Sequence, residues 1–135
     1  MSKFLIDASV FHGYANTKDK HHSICKDFFD KYRNEPLYFS IHGLFEFQAV
    51  RSRRILGRDF LGLPVNRILR NQQFIDINRK FYDECQRIKL FEIFKSLKGS
   101  DLIYACLAKI GGFTFVTCDK DFDPYKNEIS ILRLI

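Results

Sequence analysis

Apolar residues along the chain fall by turns into short continuous runs and into helical periods. Phe4-Leu5-Ile6 is a brief apolar run closed by Asp7, the pattern of a buried parallel strand with an acid at its carboxyl end. From about Lys18 to Asn34, Ile24, Phe28 and Tyr32 recur at i, i+4 and i+8 beside Cys25 and Phe29, which predicts a helix that Pro36 ends. Leu37 to Ser40 predicts a second strand, and Ile41 to about Leu56 a second helix, apolar on most sides around Glu46. Gly57, Gly62 and Pro64 mark a loop, followed by a short basic helix from Val65 to Asn71. Phe74 to Ile77 reads as a brief strand, then a long helix from about Asn78 to Phe94 with Phe81, Cys85 and Ile88 on one stripe. Gly99-Ser100 opens another helix with Ser100 as its N-cap and Ile103, Cys106, Leu107 and Ile110 at i, i+3, i+4 and i+7. Gly111-Gly112 closes it. Phe113 to Thr117 is a strand ending just before Asp119, and Ile129 to Ile135 is the last.

Strand and helix alternate along most of the chain. That order predicts a three-layer α/β/α sandwich with a mainly parallel central sheet. The 135 residues fit one domain, 1–135, with no internal repeat.

Composition changes this picture little: 46% hydrophobic and 28% charged residues are ordinary for a globular chain, although fifteen Phe and no Trp make the core Phe-rich. The apolar run at the N-terminus is too short for a signal peptide, and no stretch approaches the ~18 apolar residues of a membrane span. A cytoplasmic protein without a membrane partner is therefore expected. Cys25, Cys85, Cys106 and Cys118 show no CxxC or other close metal spacing, so reduced, buried thiols are expected. His12, His21, His22 and His42 do not pair with them at zinc-site spacings. The net charge of +6 favours a polyanionic partner, since Lys and Arg on phosphates release condensed counterions.

Four carboxylates change the picture more. In an open parallel sheet, ligands bind beyond the carboxyl ends of the strands. Asp7 and Asp119 both fall just past such an end. Asp101 lies in the first turn of a helix that leads back into the strand ending near Thr117, so that helix begins at the same edge. Glu46 lies roughly 9 Å along its helix, where a long side chain can lean back to the rim. Each acid also has an ordinary reading: a strand-end hydrogen bond for Asp7, the helix dipole for Asp101, an arginine ion pair for Glu46. Together they need a cation, because two carboxylates ~4 Å apart repel by about 4 kcal/mol at an effective dielectric near 20. All-oxygen donors suit Mg²⁺ or Mn²⁺ rather than zinc or copper. Such ions activate water and stabilise charge on a phosphoryl group.

The same residues resemble a family. Phe-Leu-Ile-Asp7-Ala-Ser9 opens the chain, Glu46 sits in a mid-chain helix, and Ser100-Asp101-Leu-Ile-Tyr-Ala105-Cys-Leu-Ala108 is followed by Phe-Val-Thr117-Cys-Asp119-Lys-Asp121-Phe122. This pattern is similar, over essentially the whole chain, to the PIN domain, and most to the VapC-type toxin nucleases of toxin-antitoxin operons. The Thr-x-Asp-x-Asp-Phe element is its most specific part. The resemblance implies a metal-dependent endoribonuclease with Asp7, Glu46, Asp101 and Asp119 as catalytic metal ligands and Asp121 as an outer or alternative ligand. It further implies Ser9 and Thr117 as supporting hydroxyls, an RNA substrate, an antitoxin whose C-terminal segment packs across the site, and a homodimer. Asp123 is a third nearby acid, which leaves the fourth ligand open among Asp119, Asp121 and Asp123.

One departure from the family pattern is a basic strip, Arg51, Arg53, Arg54, Arg58, Arg67 and Arg70, with Asp59 the only acid among them. It suits the approach of an RNA backbone, a solvated face, or a docking surface for an acidic partner. Two other functions share the fold class. A non-catalytic RNA-binding or protein-docking module would have lost one or more of the four acids. A phosphoacceptor receiver domain needs an acidic pair near the N-terminus and a late lysine, whereas Asp7 stands alone.

Overall fold

The computed structural model describes residues 3–53 and 73–135. The expected loop and basic helix between residues 57 and 71, and with them Arg54, Arg58, Arg67 and Arg70, lie outside the described residues; Arg51 and Arg53 are among the last described residues of their helix.

Numbered in chain order, the described elements are β1 (Phe4–Ile6), α1 (Ala8–Ala15), α2 (His22–Lys31), β2 (Leu37–Ser40), α3 (Ile41–Arg53), β3 (Gln73–Ile75), α4 (Arg79–Arg87), α5 (Leu90–Ile93), α6 (Ser100–Gly111), β4 (Thr114–Thr117), a 3₁₀ helix (Lys120–Tyr125) and β5 (Ser130–Arg133). The strands form one sheet in the order β3-β2-β1-β4-β5, every pairing parallel. The chain builds outward from β1 to β2 and β3, then crosses to the other side for β4 and β5. The direction of winding therefore reverses between β1 and β4, where Leu5 pairs with Phe115 and Ile6 with Val116. That reversal opens a crevice above the strand ends.

Side chains alternate across the pleat, and this places the two halves of the core. Phe4 and Ile6 join Leu37, Phe39 and Val116 against α1, α2 and Phe47 of α3. Leu5 and Phe115 face the other way, onto α4, α5 and α6 through Cys85, Leu90, Phe94 and Tyr104. Helix–sheet–helix is the result. Many contacts on the first face are aromatic pairs, such as Phe11 with Phe39 at 5.5 Å and with Phe47 at 4.4 Å between ring centroids, so the Phe-rich composition is spent in the core. Phe45 goes the other way: it is 74% exposed, so α3 is less enclosed around Glu46 than its apolar neighbours imply.

Three elements differ from the sequence expectation. No element is expected between Asp7 and Lys18, yet α1 occupies Ala8–Ala15, started by the Asp7 side chain accepting from the Ser9 amide. The long helix from Asn78 to Phe94 is two helices, broken where Lys89 adopts φ 60°. The break has a packing reason. Leu90 lies five residues after Cys85, about 140° around an unbroken helix, and would leave the buried stripe. The left-handed residue rephases the chain, and Cys85, Leu90 and Phe94 are all buried. Ser100 is not the N-cap of α6: Gly99 is, at φ 51°, with no side-chain cap. At the other end Gly112, at φ 65°, closes α6 in the left-handed conformation that glycine favours.

All four cysteines are free, three of them buried. Among the described residues no helix is long and apolar enough to cross a membrane.

Candidate metal centre

Asp7 follows β1 directly and is buried. Its Oδ2 accepts from the Thr117 hydroxyl at 2.6 Å and from the Ser9 hydroxyl at 2.9 Å, while Oδ1 accepts from the Ser9 amide at 3.4 Å. The two hydroxyls reach further. Thr117 Oγ1 accepts from the Asp119 amide at 3.0 Å, and Ser9 Oγ from the Cys118 amide at 3.4 Å, so the ends of β1 and β4 are tied through them. Burial raises the Asp7 carboxyl to about 6 against the opposing pull of these donors, and the charge of Glu46 adds to the rise.

Asp119 caps the 3₁₀ helix, its Oδ1 accepting from the Asp121 amide at 2.8 Å. That turn carries Asp121 back to the same rim. Asp101 lies in the first turn of α6, and oxygens of Asp101, Asp119 and Asp121 all lie within 4.8 Å of one another. The Asp101 carboxyl is also raised to about 6, first by burial and then by the charges of Asp7, Asp119, Glu46 and Asp121. Acids from three other segments of chain thus act on the Asp101 carboxyl. Asp123 turns away and pairs with Arg133 at 3.4 Å.

Glu46 approaches from α3. Among the described residues it meets a histidine rather than an arginine: Oε1 lies 3.9 Å from Nε2 of His42, one turn earlier on the same helix. Both atoms are buried without a hydrogen-bond partner, as is Oγ of Ser100. The His42 ring is anchored through Nδ1 on the Ser40 hydroxyl and packs on Tyr104, with 4.4 Å between ring centroids. Burial lowers its pKa, with Glu46 opposing. Tyr104 accepts the Ala8 amide at 3.0 Å, and burial followed by the charges of Asp7 and Glu46 raises its hydroxyl well above the usual range. Gly43 makes this possible, since a Cβ there would collide with the Tyr104 hydroxyl.

The donor set fits a hard divalent cation. It is all carboxylate, the charges of the other acids raise the Asp101 carboxyl, and it includes a buried carboxylate oxygen on Glu46 that lacks a hydrogen-bond partner among the described residues. Of the acids singled out from the sequence, Asp101, Asp119 and Asp121 are brought within 4.8 Å of one another, Asp7 and Glu46 lie near enough for their charges to raise the Asp101 carboxyl, and Ser9 and Thr117 bond Asp7. Sequence reasoning passes over His42, Tyr104 and Gly43; a glycine inside an apolar helix three residues before a partly buried acid was the available signal. It also passes over Lys98 and Lys120, which line a cavity of about 450 Å³ with Asp101 and Asp121.

A family model described as the PIN domain matches residues 4–127. Curated proteins give no significant sequence match. Among solved structures, DNA-bound VapBC from Salmonella typhimurium is similar at a TM-score of 0.73 and 18% identity over 100% of both chains. FitAcB from Neisseria gonorrhoeae is similar at 0.71 and 13% identity over 97% of each chain. The sarcin-ricin-loop-cleaving toxin VapC20 of Mycobacterium tuberculosis gives 0.65 and 16% identity, over 90% of this chain and 94% of that one. At such identities the likeness is one of fold.

Proposed function

The chain belongs to the PIN-domain family, and from that premise we propose that it is a divalent-metal-dependent endoribonuclease, the toxin of a toxin-antitoxin pair. The observation that carries this reading is the meeting of Asp101, Asp119 and Asp121, whose oxygens lie within 4.8 Å of one another, with Asp7 and Glu46 near enough for their charges to raise the Asp101 carboxyl. Asp101, Asp119 and Asp121 would hold Mg²⁺ or Mn²⁺, with Asp7 and Glu46 completing the acidic lining. When bound, such an ion supplies an activated water and offsets charge developing on the phosphoryl and leaving oxygens.

The chain's own groups have separate tasks. Thr117 and Ser9 fix the orientation of the Asp7 carboxylate, and both donate their protons to it. With those hydroxyls committed, water rather than a side chain is the nucleophile, and no covalent intermediate forms. Lys98 and Lys120, flanking Asp101 and Asp121, attract the phosphates next to the scissile one. The arginines at and beyond the end of α3, Arg51, Arg53, Arg54 and Arg58, extend that attraction along the RNA backbone.

An antitoxin segment covers the crevice in this reading, supported by the likeness to a VapBC assembly. The homodimer would bury exposed apolar residues such as Ile77, Tyr82 and Ile93. The protein works in the cytoplasm.

The test is cleavage of RNA by the purified chain in Mg²⁺ or Mn²⁺, against EDTA and against Asp101→Asn. Cleavage in metal alone, absent from the variant, is expected. Equal cleavage in EDTA, or none in either metal by the folded chain, overturns the reading.

A further inference from the structure

Two thiols outside the acidic cluster meet beside it. Sγ of Cys25, in α2, lies 3.9 Å from Sγ of Cys118, the residue between Thr117 and Asp119. They are 93 residues apart in sequence. Cys25 is fully buried, and a methyl group on Gly13 would come within 2.5 Å of its sulfur, so the backbone of α1 backs the thiol closely. Cys118 is only partly buried and lines a cavity of about 300 Å³ with Ser9, Asn16, Asp19 and His21, which gives a small oxidant a route to it.

We propose that Cys25 and Cys118 form an oxidation site, closing to a disulfide under a peroxide and thereby loosening the metal centre. The chemistry balances with the peroxide as the named oxidant. The Cys118 sulfur attacks a peroxide oxygen, the O–O bond breaks, and one water leaves as a sulfenic acid forms. The Cys25 sulfur then attacks the sulfenic sulfur, the S–S bond forms, the S–O bond breaks, and the hydroxyl departs as a second water with the thiol proton. Two thiols lose two electrons, and the peroxide gains them.

Closure brings the sulfurs from 3.9 Å to about 2.05 Å. With Cys25 backed by α1, part of that movement falls on Cys118. Its backbone amide donates to Ser9 Oγ, and its neighbours are Thr117, which holds Asp7, and Asp119. Pulling residue 118 toward α2 therefore disturbs the hydrogen bonds that orient two of the acids. This second half of the proposal rests on the metal-centre reading; the disulfide itself does not.

The full chain is treated with hydrogen peroxide, free thiols are blocked, and the linkage is mapped by mass spectrometry. Magnesium affinity and RNA cleavage are followed in parallel. A Cys25–Cys118 linkage is expected, with magnesium affinity falling by about tenfold or more and returning on reduction with dithiothreitol. Cys25→Ser, which lies outside the metal centre, should cleave RNA like the parent when reduced and keep its magnesium affinity under peroxide. Absence of the linkage, or an equal loss of affinity in Cys25→Ser, overturns the disulfide; a linkage with unchanged magnesium affinity overturns its effect on the site. If the reduced parent binds magnesium and cleaves no RNA, the nuclease reading fails while the thiol results stand.

Discussion

The Thr117 hydroxyl donates to Asp7 Oδ2 at 2.6 Å, joining the ends of adjacent parallel strands across 110 residues of sequence. The same oxygen accepts the Asp119 amide, so one hydroxyl sets the position of two acids. Thr117→Val keeps the shape and removes both bonds. The Asp119 amide then lacks its partner and the Asp7 carboxyl is left with Ser9 alone, at a cost of about 1–3 kcal/mol. Magnesium affinity should fall by about 10- to 100-fold, as when outer partners of metal ligands are removed. Calorimetric titration with magnesium and thermal unfolding in EDTA measure both; an unchanged affinity would mean that Asp7 needs no orienting.

Asp7→Asn separates function from stability. The substitution removes a charge that burial disfavours and a repulsion with Glu46, both of which raise the native carboxyl to about 6. In EDTA at neutral pH the variant should melt at a higher temperature than the parent, and in magnesium it should not cleave RNA. Cleavage at the parental rate would remove Asp7 from the mechanism.

Much of this arrangement is legible in the sequence because it follows from topology. An acid placed directly after an apolar run is carried to the strand's end wherever that strand lies in the sheet, so Asp7 and Asp119 could be assigned to one rim before the strand order was known. Asp121 came with the resemblance; the turn that Asp119 caps explains how it reaches that rim. What stayed hidden depends on tertiary contact. Lys89 carries no signal for a left-handed residue, since the need arises only when Cys85 and Leu90 must face the same layer. His42 and Tyr104 look like an ordinary helix residue and an ordinary core aromatic until α3 and α6 are set side by side.

Metal-free stability should depend on pH in an unusual direction for an acid. Asp7 is near 3.9 in the unfolded chain and raised to about 6 in the native one. The native state therefore holds that proton more tightly. The stability it gives is fully present below roughly pH 3.9 and lost as pH rises through about 6, on the order of 3 kcal/mol for this group. Asp101, partly exposed and raised in the same direction, adds a smaller share. Magnesium needs the ionised carboxylates, so it should raise the melting temperature well above about pH 6 and little near pH 5. Melting curves with and without magnesium at the two pH values decide it; an equal rise at both would exclude these acids as the ligands.

Lys98 and Lys120 make a prediction about substrate rather than metal. They flank Asp101 and Asp121 in an open cavity, exposed and outside the acid cluster. Lys98→Ala and Lys120→Ala should leave magnesium affinity unchanged and raise KM for RNA. Each should also lower the slope of log affinity against log salt by about 0.7 for a single strand, the signature of one lost phosphate contact. A parental salt slope in both variants would place the RNA elsewhere.

Gly43 and Tyr104 form a pair whose coupling can be measured without any substrate. Replacing a glycine by alanine inside a helix ordinarily stabilises by about 1 kcal/mol. Here the added methyl meets the buried Tyr104 hydroxyl, which already accepts the Ala8 amide. Gly43→Ala should therefore destabilise the parent, by about 1–3 kcal/mol for overpacking. Tyr104→Phe removes the oxygen that the methyl strikes, at the expense of the hydrogen bond from Ala8. In that background Gly43→Ala should turn neutral or stabilising, because the helix preference then acts unopposed. The sign change is the diagnostic: a double-mutant cycle by denaturant unfolding should give a coupling of about 1–3 kcal/mol. Additive effects would mean that α3 and α6 are not held at the separation on which the placement of Glu46 depends.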